Sequence, residues 1–219
     1  MKYIKVLSIL SIFLLFSACK ENSSSPSDNE DDPKPGRYIP LQIGAEWEYE
    51  ITQASSNSTY TLRNIGETEK NGHTWTEQIT TAANGSQSSI IRFENGKYIQ
   101  FIASGTGIIV TDMNFIALDE NAEIGDTWEI PHKVMFAGSS PIDAAYTMKI
   151  VEKLESYTVR GTKYEDVISV DLNLSYFPNG GTVNRINQRT YYASNVGVIK
   201  VEGFGPSTAY TQELINYTP

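Results

Sequence analysis

Cysteine occurs once, at Cys19, and histidine twice, at His73 and His132, in 219 residues. A single cysteine excludes an intramolecular disulfide and a Cys-based zinc site. The two histidines stand 59 residues apart with no H-E-x-x-H, so no three- or four-ligand zinc set can be named. No metal ligand and no cofactor are assigned. Basic side chains are in deficit, 17 Lys and Arg against 26 Asp and Glu, for a net charge of −9. Nucleic-acid binding rests on Lys and Arg neutralising phosphates, so nucleic acid is excluded as a partner. The longest apolar-rich segment, Val6 to Phe16, spans eleven residues, two of them serine. As a helix it rises about 16 Å, too little for a hydrocarbon core of about 30 Å. The nucleophile elbow G-x-S-x-G and the phosphate loop G-x-x-x-x-G-K-[ST] are both missing. With 40% hydrophobic and 11% aromatic residues, the chain is nonetheless no disordered polymer.

What is present begins with an address. Lys2 and Lys5 form a basic n-region, Val6 to Phe16 an apolar h-region, and Ser17-Ala18 the small residues before a cleavage point. Residues 1–18 read as a signal peptide. Phe16-Ser17-Ala18-Cys19 resembles the bacterial lipobox, which implies acylation of the Cys19 thiol, cleavage before it and acylation of the new amine. Cys19 is therefore the expected lipid-attachment residue, and two or three acyl chains anchor stably where one is marginal. In Gram-negative sorting, Asp after the cysteine retains a lipoprotein in the inner membrane; Lys20 points to the outer membrane, on its periplasmic or surface side. Residues 19–37 then carry four serines, the acidic cluster Asp28, Glu30, Asp31 and Asp32, and Pro26, Pro33, Pro35 and Gly36. This is a flexible tether with an r.m.s. reach of about 23 Å. The acidic cluster resembles a surface-export signal and reads equally as a solvated linker. Pro33 at the sixth position from Asp28 rules out a calcium loop, which needs glycine there.

Residues 38–219 make one β-rich domain, large enough to bury about 70% of its unfolded surface. Asn-Gly, the strongest short hairpin signal, occurs at Asn71-Gly72, Asn84-Gly85, Asn95-Gly96 and Asn179-Gly180. Alternation supports strands: Trp47, Tyr49 and Ile51 lie opposite Glu46, Glu48 and Glu50, and Tyr60, Leu62, Trp75 and Ile79 continue the apolar face. Ile168, Val170, Leu172, Leu174 and Tyr176 give the cleanest strand, with Ser169, Asp171, Asn173 and Ser175 on its wet face. After Pro178-Asn179-Gly180-Gly181 a strand returns, with Arg185, Asn187 and Arg189 opposite Ile186 and Tyr192. Clean alternation is the mark of antiparallel sheets with one solvated face. The expected fold is all-β, a strongly curved antiparallel sheet or half-open barrel of many short strands joined by Asn-Gly hairpins. A short helical turn is expected between Asp112 and Ala122. Ile43-Gly44-Ala45-Glu46-Trp47-Glu48 echoes in Ile124-Gly125-Asp126-Thr127-Trp128-Glu129. Because the flanks do not repeat, both are read as turn-into-strand entries with a buried Trp; a duplicated half is the alternative.

The opening Tyr38-Ile39-Pro40-Leu41-Gln42-Ile43-Gly44-Ala45-Glu46-Trp47-Glu48-Tyr49 resembles a group of Bacteroidota lipoproteins of unknown function, whose mature domain begins Y-x-P-L-x-x-G-x-x-W-x-Y. Four further segments match that group in order: Arg92 to Tyr98, Ile124 to Trp128, Thr158 to Val167 and Tyr191 to Lys200. The departure is Arg160-Gly161, where relatives carry Pro-Ala-Gly. The resemblance implies a half-open barrel similar to that of periplasmic lipoprotein carriers, and no catalytic residue. Its motif residues are Gly, Pro, Trp and Tyr, which serve turns and packing.

The expected function is non-enzymatic: a binding or carrier module whose partner is a lipid, glycan or protein, with its ligand-binding residues unknown. The first alternative is a structural or accessory envelope lipoprotein docking to partner proteins. A hydrolase is the third reading. Ser104-Gly105-Thr106-Gly107 lacks a basic partner and reads as a turn before Ile108-Ile109-Val110. Trp47, Trp75, Trp128 and the thirteen tyrosines are candidates both for a binding surface and for the core.

Overall fold

The computed structural model describes residues 37–53, 56–106, 108–136, 140–177, 183–204 and 209–219. Cys19, the signal segment, the tether up to residue 36 and the Asn179-Gly180 turn lie outside these residues. Twelve strands follow one another: β1 (Glu46–Gln53), β2 (Ser56–Lys70), β3 (His73–Ala82), β4 (Gly85–Glu94), β5 (Lys97–Ile102), β6 (Met113–Asp119), β7 (Thr127–Val134), β8 (Ile142–Val159), β9 (Thr162–Tyr176), β10 (Val183–Ala193), β11 (Gly197–Phe204) and β12 (Tyr210–Thr218). They form a single antiparallel sheet in the order β6-β5-β4-β3-β2-β1-β12-β11-β10-β9-β8-β7. Every neighbour is consecutive in sequence except β1 with β12, whose pairing joins two six-stranded meanders.

The sheet curls until β6 approaches β7, nearly closing a barrel. The seam is bridged at one end by the Trp128 Nε1–H bond to the Ile116 carbonyl (3.0 Å). At the other, Val110 N–H bonds Lys133 O (3.1 Å) and Met135 N–H bonds Ile108 O (2.7 Å). Ile108-Ile109-Val110 is therefore a single bridge, Ile109 to Val134, rather than a strand. The helical turn expected between Asp112 and Ala122 is instead strand β6. Its outer phase carries exposed Asn114 and then half-buried Ile116, which packs against Trp75, Ile99 and Phe101, so clean polar alternation is lost. A bulge at Ala117 further breaks its period.

Not all strands are short. β2, β8 and β9 run 15, 18 and 15 residues. The tips of the β2–β3 and β8–β9 hairpins overshoot their neighbours and fold back on the outer face. There Trp75 packs edge-on to Phe101 (6.2 Å) and carries Arg92 over its ring (4.8 Å). Thus Trp75 faces outward and Thr76 and Gln78 face inward, the reverse of the sequence expectation for β3. At the other tip Tyr157 stacks on Tyr191 (4.5 Å), and Arg160 reaches Glu50 (2.5 Å) and Glu213 (3.8 Å). Arg160-Gly161 is itself a two-residue type I′-like turn, φ +51° and +83°, matching the handedness of Asn71-Gly72 and Asn95-Gly96. The third Asn-Gly is offset by one: Ala83-Asn84 form the loop and Gly85 opens β4. Ser169, expected on a wet face, is 0% exposed because residues covered by the β8–β9 hairpin surround it.

The G-x-x-W echo extends beyond its turns. Gly44 N–H bonds Asn64 O and Asn64 N–H bonds Ala45 O, both at 2.9 Å. Gly125 N–H bonds Ile150 O (2.9 Å) and Ile150 N–H bonds Asp126 O (3.0 Å). Each partner strand bulges one residue later, at Ile65 and Val151. Each indole N–H crosses to the other six-stranded half, Trp47 to Val196 O (2.5 Å) and Trp128 to Ile116 O. The halves β1–β6 and β7–β12 repeat in geometry where their sequences do not. Trp47 is buried as expected, whereas Trp128 is only partly so.

Candidate functional site

The inner surface is defined by the core that spans both halves, in which Tyr38, Tyr98 and Leu118 meet Ile150, Ile168 and Tyr192. Residues 38–42 enter this interior at the end where β10–β11 turns. Tyr38 N–H bonds the Tyr98 hydroxyl (2.8 Å), and Asn64 Nδ2 bonds the carbonyls of Pro40 (3.1 Å) and Gln42 (3.0 Å). Gln78 Nε2 completes the set on Asn64 Oδ1 (2.9 Å). That end is stoppered by the chain's own N-terminal segment. At the opposite mouth β1, β3, β5, β7, β9 and β11 end.

Cross-strand partners share a face, so pairing register assigns the inner wall residue by residue. One row runs Leu172, Gln188, Gly203, Tyr210, Gln53. The next runs Val170, Thr190, Val201, Gln212, Ile51. Leu62, Thr80 and Gln87 form another, then Asn64, Gln78 and Ser89, and Ile91 pairs Gln100. Six of the chain's seven glutamines therefore face inward, and none of these rows holds a charge. Several of these polar groups bond one another: Tyr210 OH to Gln188 Oε1 (2.8 Å), Gln188 Nε2 to Thr190 Oγ1 (3.1 Å), and Gln212 to the Tyr60 hydroxyl; the Gln87 Oε1 has no partner among the described residues. Burial pushes Tyr210 up to about 12 and Tyr60 higher, so both phenols stay neutral.

The wall from β7 to β9 is different. Ile130, Met148, Leu172 and Leu174 line it, with Tyr146 edge-on to Phe115 (5.4 Å). His132 stacks on Tyr146 (4.5 Å, 11° between planes), and burial lowers its pKa. The other histidine, His73, sits on the outer face beside Arg92 and Glu94 (3.6 Å). The fold does not bring the two histidines together. Among the described residues no three His, Cys or carboxylate side chains gather as a metal site.

At the mouth an open pocket of about 300 Å³ is lined by Thr52, Glu202, Phe204 and Thr211, on the outward phase of their strands, together with Gly203, Ala209 and Tyr210. Its one carboxylate, Glu202, is taken by Lys200 (2.8 Å) and the Tyr191 hydroxyl (3.3 Å). The Tyr210 ring lies flat on Gly203, where any β-carbon would overlap it. Gly203→Val should therefore displace the ring, break its bond to Gln188 and cost about 1–3 kcal/mol. Adding Tyr210→Ala should recover part of that loss; urea midpoints that simply add would show that the two residues do not clash.

Two solved structures share this fold. One is a protein of Bacteroides fragilis named as exported and as having a YmcC-like fold, 13% identical with a TM-score of 0.55, covering 84% of this chain and 100% of that one. The other is a Parabacteroides distasonis protein named as a lipoprotein, 15% identical with a TM-score of 0.53, covering 84% and 99%. At such identities the likeness is one of fold alone. No protein-family model matches the chain, and no curated protein matches it in sequence.

The sequence reading left the ligand-binding residues unassigned. The signal it passed over was the placement of glutamine. Gln188 and Gln212 occupy the inward phase of β10 and β12, shared with Thr190, Tyr192 and Leu214. Gln78 and Gln87 hold the same phase in β3 and β4.

Proposed function

We propose that this chain is a lipid-anchored cell-envelope protein, held at the outer membrane through Cys19, whose barrel is a non-enzymatic binding or carrier module. The observation that carries the binding reading is the uncharged belt of Gln188, Thr190, Tyr210, Gln212 and Tyr60, hydrogen-bonded on the inner face. Apart from buried Thr190 these residues are half-buried, and a wall serving only stability would place aliphatic residues in those rows. The belt offers donors and acceptors without an acid, base or nucleophile pair, which fits recognition better than hydrolysis. The anchoring reading is supported by the Phe16-Ser17-Ala18-Cys19 segment and by fold neighbours named as exported protein and lipoprotein.

Two measurements test this. In cells, Cys19→Ala should abolish metabolic palmitate labelling of the full chain; continued labelling would remove the anchor. For binding, residues 20–219, which keep the tether and the whole barrel, should retain a specific mass adduct in native mass spectrometry after exposure to envelope lipid and glycan extracts. Gln188→Leu with Gln212→Leu should lose that adduct. An unchanged adduct in the double variant would exclude the belt as the site.

A further inference from the structure

The geometry points to an uncharged, hydroxyl-rich amphiphile, such as a neutral glycolipid, as the ligand of this barrel, with His132 Nε2 accepting a hydrogen bond from a ligand hydroxyl. The inference rests on the binding reading above and names its ligand class. His132 lies between Ile130 and Val134 on the inward phase of β7 and is 7% exposed. Its Nδ1 is 3.1 Å from the Ile130 carbonyl. A carbonyl can only accept, so Nδ1 carries the proton and Nε2 is a bare acceptor. That Nε2 is buried and has no partner among the described residues. A buried acceptor in a native protein is normally matched by a donor. Its ring stacks on Tyr146, and among the described residues no three His, Cys or carboxylate side chains gather as a metal site.

The two walls set the rest of the ligand's chemistry. Amides and neutral phenols on β10, β12, β2 and β3 both donate and accept, as a polyhydroxylated head requires. A phosphate or carboxylate head would lose its hydration there without meeting a cation, because none of those rows holds a charge. On the apolar wall Tyr146, Met148 and Leu174 are packed in the core and Phe115 is half-buried at their edge, so an acyl or alkyl portion would lie along Phe115.

The test uses residues 20–219 and titration calorimetry with n-dodecyl-β-D-maltoside below its micelle concentration. The comparators are laurate (apolar part, charged head) and maltose (head alone). The maltoside should bind one to one, at least about tenfold tighter than either comparator. His132→Phe keeps the aromatic stack and removes only the acceptor; it should weaken maltoside binding about tenfold while leaving laurate binding unchanged. A folding loss in that variant is bypassed in the parent protein by ¹⁵N spectroscopy of the histidine ring. There, maltoside should shift the Nε2 resonance in the direction of a new hydrogen bond. If laurate binds as well as the maltoside, or if His132→Phe and the Nε2 resonance show no effect, the ligand assignment fails and the binding module stands. If no amphiphile and no sugar binds, both fail.

Discussion

Asn64→Leu is expected to release residues 38–42 from the barrel and to cost about 3–5 kcal/mol, a large part of the 5–15 kcal/mol that holds a typical domain. Leucine keeps the branching and heavy-atom count but is bulkier, so overpacking adds to the loss of hydrogen bonds. Asn64 is 0% exposed and uses both ends of its amide. Its nitrogen serves the carbonyls of Pro40 and Gln42, and its oxygen takes the Gln78 amide. The substitution leaves two carbonyls and one amide buried without partners, and each such group costs about 1–3 kcal/mol. Asn64→Asp should do comparable harm, because a carboxylate turns acceptors toward two carbonyls. The measurements are the urea midpoint and the exchange rate of the Tyr38 amide, whose partner is the Tyr98 hydroxyl. An unchanged midpoint with an unchanged Tyr38 rate would show that the segment is held by other means.

Trp47→Ala is expected to cost about 3–5 kcal/mol. Trp47 is 1% exposed, stacks on Tyr217 (5.4 Å) and donates to Val196 O. It thereby ties β1 and β12 to the β10–β11 turn beyond the last pairing of β11 with β12, which ends at Lys200 and Glu213. Trp47→Phe separates the two contributions: it keeps most of the packing and removes the N–H, for about 1 kcal/mol. Thermal melts and urea titrations of both variants check the order. A phenylalanine variant as damaged as the alanine one would assign the effect to the hydrogen bond instead.

The all-β class, the hairpin positions at Asn71 and Asn95 and the inward set Ile168 to Tyr176 were legible because period-two alternation and φ > 0 turns are local properties. Arg160-Gly161 was not legible as a type I′ turn. Arginine has no intrinsic taste for φ +51°, and its side chain is held there by Glu50 and Glu213, more than 50 residues away on either side in sequence. Strand β6 was missed because Ile116 packs against the outer cluster of Trp75, Ile99 and Phe101 and a bulge at Ala117 breaks the alternation. Trp75 was assigned to the wrong face for a related reason: an overshooting hairpin can bury a tryptophan on the outside of a barrel. The inner amide wall needed the pairing register, which sequence alone does not supply. His132 was weighed only as a metal ligand, since nothing local distinguishes an orphaned acceptor from a satisfied one.

The stopper at residues 37–42 also has a mechanical meaning. Arg37 N–H bonds the Glu120 carboxylate (3.1 Å), its carbonyl takes the Asn195 N–H (2.8 Å), and its guanidinium pairs with Asp166. These partners belong to the β6–β7 loop, the β10–β11 turn and β9. A force applied at residue 37 is thus divided among three points around one rim, and no edge strand is peeled. A pull along the barrel axis must strip this collar before it reaches β1. The yield force should therefore depend on the side chains of Asp166 and Asn64 more than on the backbone pairing of the sheet.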